Sequence, residues 1–157
     1  MINKNVLEKT PLLFSLKDSE IEKFSQYLDV NTLKDKEILF NEGDEGNYLC
    51  IIAKGGIGIA KADHNAELKV MWELPTNKVF GELALFDGQP RSGTALAIGD
   101  TEVYTLKRSD FVALSEEQPA LSLKISINVI KVLSNNLRTT TMRFYKAADA
   151  LEANSTR

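Results

Sequence analysis

An acid and a base, Glu82 and Arg91, flank a short apolar stretch in the run Phe80-Gly81-Glu82-Leu83-Ala84-Leu85-Phe86-Asp87-Gly88-Gln89-Pro90-Arg91-Ser92-Gly93-Thr94-Ala95. These residue types suit a small anion that also carries a hydroxyl. Arg91 offers charge-assisted, bidentate donors to phosphate oxygens, and Ser92 sets a hydroxyl beside it. Gly81 lets backbone come close to a ligand. If the amides from Gly81 through Leu83 to Ala84 open a short helix, they point one way and favour a phosphate. Glu82 repels phosphate, so it must face another part of the ligand, and a sugar hydroxyl is the donor it suits. Plainer roles fit the same residues: Arg91 in an exposed ion pair of small energetic weight, and Glu82 as the acid that a helix N-terminus favours.

A loop of this kind needs a scaffold, and its flanks read as short strands. Residues 38–40, 48–53, 57–61, 68–74, 95–98 and 103–106 are strand-like. Between them lie the turn signals Gly43-Asp44-Glu45-Gly46, Lys54-Gly55-Gly56, Asp63-His64-Asn65, Pro75-Thr76-Asn77 and Gly99-Asp100. That pattern predicts an antiparallel sandwich or barrel. Upstream, residues 5–27 read as helical, with Asp18-Ser19-Glu20 as a start, Ile21, Phe24 and Leu28 at helical spacing, and Pro11 as a break. Downstream, Ser109-Asp110 starts a helix carrying Phe111 and Leu114, and Pro119 opens a long segment with few breakers. The expected class is α+β, mainly β: a jelly-roll-like β-barrel (28–107) with an N-terminal helical segment (1–27) and C-terminal helices (108–157), the last of them long.

The long helix carries two apolar faces. Leu123, Ile127, Ile130, Leu137, Phe144, Ala148 and Leu151 form a seam with Ser134 and Thr141 as polar interruptions, and Ile125, Val129, Val132 and Leu133 form the other. The barrel can cover one face. A second copy of the helix can cover the other in coiled-coil fashion, although both faces packing within one domain is the competing arrangement.

The central run resembles the phosphate-binding cassette of the cyclic nucleotide-binding domain family, which includes the catabolite activator proteins and the regulatory subunits of cyclic-nucleotide-dependent kinases. The family pattern F-G-E-L-A-L followed by P-R-x-A-T meets Phe80-Gly81-Glu82-Leu83-Ala84-Leu85 and Pro90-Arg91-Ser92-Gly93-Thr94, departing at Gly93. Ile38-Leu39-Phe40-Asn41-Glu42-Gly43-Asp44-Glu45-Gly46 is similar to the family's turn, and Pro11-Leu12-Leu13-Phe14 to its helical entry. The resemblance implies phosphate contacts from Gly81, Leu83, Ala84, Arg91 and Ser92, and a ribose contact from Glu82. It makes Met71, Leu74, Val79 and Gly93 candidates to flank the base, with barrel core the equal alternative for the first three. Counted from Pro119, Asn136 falls where the catabolite activator branch reads the purine edge; an exposed helix residue is the equal alternative. It also implies dimerisation through the long helix.

Composition narrows the classes. The chain has 157 residues, 43% of them hydrophobic, enough for one domain with a core. Nineteen Lys and Arg against 22 Asp and Glu give a net charge of -3, a poor footprint for nucleic acid. Cys50 is the single cysteine and His64 the single histidine, which leaves no internal disulfide, no multi-histidine metal barrel and no Cys-His nucleophile pair. The start lacks an apolar signal segment and no run is long enough to span a membrane, so a cytoplasmic, non-membrane protein is expected. The expected function is a sensor of cAMP or cGMP that performs no catalysis, needs no cofactor, forms a homodimer and signals through its last helices to a separate protein partner. The stretch 145–157 is too short for a helix-turn-helix domain, so no nucleic acid is expected to bind this chain alone. The rival readings are a ligand-free interaction module, which usually loses Glu82 or Arg91, and a fragment of a DNA-binding regulator.

Overall fold

In a computed structural model that describes residues 2–155, the chain opens with α1 (Lys4–Glu8), a 3-10 turn (Pro11–Leu13) and α2 (Asp18–Ser25). Six strands follow: β1 (Asp29–Leu33), β2 (Ile38–Phe40), β3 (Tyr48–Ala62), β4 (Leu68–Pro75), β5 (Val79–Phe80) and β6 (Thr94–Lys107). A short helix, α3 (Glu82–Asp87), lies between β5 and β6, and α4 (Arg108–Glu117) and α5 (Pro119–Ser155) end the fold. The helical entry forms as its local chemistry requires. Pro11 begins the 3-10 turn, and the Glu20 carboxylate accepts the Lys17 amide at 2.8 Å to cap α2.

Alternation along β3 and β6 explains the layering. Successive strand side chains point to opposite faces. Leu49 and Ile51 of β3, with Tyr104 and Leu106 of β6, pack under the terminal helices against Leu7, Leu12, Phe24, Leu114 and Ile125. Cys50, Ile52 and Ile57, with Ala95, Ala97 and Val103, form a second core with Phe40 and Phe80 on the other face. The terminal helices therefore share a core with the sheet, and Cys50 is fully buried.

All ladders are antiparallel, in the order β1-β6-β3-β4, with β2 added to β6 and β5 to β3. Two expectations change here. The runs 48–53 and 57–61 are one strand, and so are 95–98 and 103–106. The glycines read as turns instead make irregularities within continuous strands. The β3–β6 register shifts between Ile52 and Lys54 and again before Gly56, and Gly55 holds φ +76 where a Cβ would lie 2.6 Å from Thr101 Oγ1. The barrel is also only approximate, because the outer strands β1 and β4 do not pair and the sheet is not closed.

One buried amide fastens α5 to the entry turn. Asn128, 4% exposed, donates from Nδ2 to the Leu12 carbonyl at 3.0 Å and the Phe14 carbonyl at 2.8 Å. Asn128→Ala is expected to lower unfolding free energy by about 1–3 kcal/mol through unpaired buried carbonyls. A urea titration reads this as a lower midpoint at unchanged slope; an unchanged midpoint refutes the fastening role.

Candidate ligand site

The site gathers where β5 runs into α3. Gly81 caps α3 in the left-handed region at φ +68, and a Cβ there would meet Arg91 Nη1 at 2.7 Å. Both facts require glycine. Arg91 comes from the loop before β6, is 4% exposed, and donates from Nη1 to the Gly81 carbonyl at 3.0 Å. Its guanidinium carbon sits 4.2 Å from the Phe40 ring centre and 4.3 Å from that of Tyr48. Two aromatic faces thus hold the cation in place. Its Nε and Nη2 are buried without a hydrogen-bond partner. A buried guanidinium with two unpartnered nitrogens is costly, and an Nε–Nη2 donor pair has the geometry that recognises a phosphate or carboxylate.

The upstream turn has a physical role that its residues alone did not disclose. The Gly43 amide donates to the Arg91 carbonyl, and the Arg91 amide to the Asp44 carbonyl, both at 2.9 Å. Asp44 in turn accepts the Asn41 amide through Oδ2 at 2.7 Å. Gly46 lies flat against α3, since a Cβ would be 2.0 Å from the Ala84 Cβ. The turn is a clamp on the Arg91 backbone. Phe40, Tyr48 and Asp44 were missed as site residues. Their signal was proximity to the Gly43-Asp44-Glu45-Gly46 turn, but apolar and aromatic residues in a strand read first as core.

Glu82 is buried at the start of α3, and burial pushes its carboxyl above the ordinary carboxylate range, opposed by its own amide and by Asn136. Asn136, on α5, donates from Nδ2 to Glu82 Oε1 at 3.1 Å. The structure thus brings Asn136 to the site, onto the acid. Leu83 is exposed and Ala84 buried in the first turn of α3. Ser92 is exposed next to Arg91, and Gly93 is buried with room for a Cβ only 3.3 Å from Ile59 Cγ2. Leu74 packs on the core that holds Phe40 and Phe80, while Met71 is exposed on the outer strand β4. Val79 takes the core position that was the alternative to a base contact. It pairs with Ile51 and packs into the helix-side core, because alternation turns it to the face opposite Phe80.

Among the described residues no group of His, Cys, Asp or Glu is arranged to hold a metal, and no helix is long and apolar enough to cross a membrane.

The family model described as "Cyclic nucleotide-binding domain" matches residues 30–118. The chain is 26% identical over 132 residues to the cyclic AMP receptor protein of Thermus thermophilus, covering 84% of this chain and 59% of the relative. It is 33% identical over 108 residues to the cAMP-dependent protein kinase regulatory subunit of Blastocladiella emersonii, covering 69% of this chain and 27% of that one. The regulatory domain of Toxoplasma gondii PKA, solved as a co-crystal with cAMP, superposes with a TM-score of 0.61 at 25% identity, over 70% of this chain and 42% of that one. The chain thus spans less than two thirds of each of these proteins.

Proposed function

This chain belongs to the cyclic nucleotide-binding domain family, and from that premise we propose that its site binds a 3′,5′-cyclic mononucleotide, cAMP or cGMP, and acts as a regulatory sensor without chemistry on the ligand. The observation that carries the reading is Arg91: buried, clamped by two rings, with Nε and Nη2 unpaired. The cyclic phosphate takes those two donors, with the amides after Gly81 and the Ser92 hydroxyl beside them. Glu82 accepts the ribose 2′-hydroxyl, and Leu74, Gly93 and Met71 lie toward the base. Ligand binding biases α4 and α5 between two placements, and it does so only by its differential affinity for them. The apolar seam left open on α5 supports a homodimer. The output passes to a protein partner or to a further domain. Retention of both Glu82 and Arg91 weighs against a ligand-free interaction module.

Calorimetry of the parent protein with cAMP, cGMP and 2′-deoxy-cAMP tests this. Binding of at least one ribonucleotide is expected, with 2′-deoxy-cAMP about tenfold or more weaker than cAMP, since a hydrogen bond to a charged group contributes about 1.5–3 kcal/mol. Glu82→Gln is expected to narrow that ratio. Equal affinity of the parent for the two adenine ligands removes Glu82 from the sugar subsite, and binding of neither ribonucleotide overturns the reading.

A further inference from the structure

We propose that Asn136 is a positioning residue for the sugar subsite, holding the Glu82 carboxylate toward the ribose rather than reading the base. The inference rests on the ligand reading above and assigns α5 a part in it. Its geometric basis is the 3.1 Å hydrogen bond from Asn136 Nδ2 to Glu82 Oε1. The two residues are far apart in sequence. Glu82 opens α3 beside the cation, whereas Asn136 stands on α5 just past Leu133, which packs on the helix-side core.

Chemistry gives that contact a purpose. A carboxylate buried to the extent of Glu82 stays ionised only where donors reach it. Its own amide is one donor and the Asn136 amide is the other. A carboxylate has more acceptor sites than these two donors fill, so a sugar hydroxyl can join them on the other oxygen. The N–H that Asn136 gives to Glu82 is not available to a base, although the amide keeps a second N–H and its oxygen. The two roles for Asn136 therefore carry different signatures. A base reader discriminates adenine from guanine and is indifferent to the sugar. A positioning residue affects both bases alike, and its effect disappears when the 2′-hydroxyl is removed. It also makes the placement of α5 and occupation of the sugar subsite mutually dependent, because any coupling of this kind is reciprocal.

Asn136→Ala decides between them. The variant is expected to bind cAMP and cGMP about three- to tenfold more weakly than the parent by the same factor, and to bind 2′-deoxy-cAMP unchanged. A loss confined to one base, or a loss that the deoxy ligand shares in full, overturns the proposal. The ligand-free protein supplies an independent readout by carbon NMR of the Glu82 carboxyl. Removing a donor from the ionised form raises a carboxyl's titration midpoint, so the Glu82 midpoint is expected to rise in Asn136→Ala, and an unchanged midpoint overturns the proposal. If the parent binds none of the three ligands, the sensor reading fails on that result and the role in a sugar subsite fails with it. The midpoint still reports whether Asn136 holds Glu82.

Discussion

Arg91→Met is expected to remove cyclic-nucleotide binding while leaving the ligand-free fold close to its parent stability. The two effects have separate origins. Each charge-assisted bond from Nε or Nη2 to a phosphate is worth about 1.5–3 kcal/mol, so losing the pair weakens binding by about a hundredfold or more. The ligand-free protein gives up little. Methionine keeps an unbranched, polarisable chain between Phe40 and Tyr48. It also removes a buried cation whose Nε and Nη2 have no partner. Against this stands the loss of the Nη1 donor to the Gly81 carbonyl, about 1.5–3 kcal/mol for a charged donor. The melting temperature without ligand therefore stays within several degrees of the parent. The rise that the parent shows with saturating ligand, which scales with the logarithm of ligand over Kd, disappears. A variant that keeps that rise shows that the anion sits elsewhere. A variant that unfolds shows that Arg91 is a structural cation first.

That division between binding and stability bears on how much the residues disclosed before any fold was known. Gly81, Glu82 and Arg91 were legible because each has an unusual property: a left-handed backbone, an acid buried at a helix start, a cation after proline. The strand count was less legible. A glycine pair inside a strand and a glycine pair in a turn look alike in one sequence, and pairing with a distant strand decides which is formed. At Gly55, Thr101 does so from β6, accepting the Gly56 amide and donating to the Gly56 carbonyl. The aromatic clamp on Arg91 was hidden for a related reason. Phe40 and Tyr48 alternate as core residues do, and the cation reaches them only after the Asp44 turn folds back. Counting along a helix singled out Asn136, whose amide lies 3.1 Å from Glu82 Oε1. A count gives the height of a side chain on the helix, not the partner it takes.

The long helix carries the other large expected effect, a homodimer that Ile130→Glu breaks. Burial separates the two faces of α5. Leu121, Ile125 and Val129 are buried against the fold, whereas Leu123, Ile127, Ile130, Leu137 and Phe144 are exposed, Ile130 at 60% and Leu137 and Phe144 at 69% each. From position 134 to 147 every residue of the helix is exposed. A 37-residue helix runs for about 55 Å, and an exposed apolar stripe along it marks an interaction surface. The exposed positions advance in steps of four, three and seven, the spacing that lets two helices supercoil with interlocking side chains. Burying each side chain favours association by at most about 1.5–3 kcal/mol, set against about 4–15 kcal/mol for lost translational and rotational freedom. Five such positions on each of two helices set a ceiling of about 15–30 kcal/mol, which leaves room for that cost. A glutamate at position 130 would bring two carboxylates together at the middle of the seam, where charge is costly to bury. Light scattering is expected to read a dimer for the parent and a monomer for Ile130→Glu, with circular dichroism showing the sheet intact in both. A parent that remains monomeric at high micromolar concentration, with and without cyclic nucleotide, rules the dimer out. A dimer whose dissociation constant moves when cAMP or cGMP is added shows that the seam and the Arg91 site are coupled through α5.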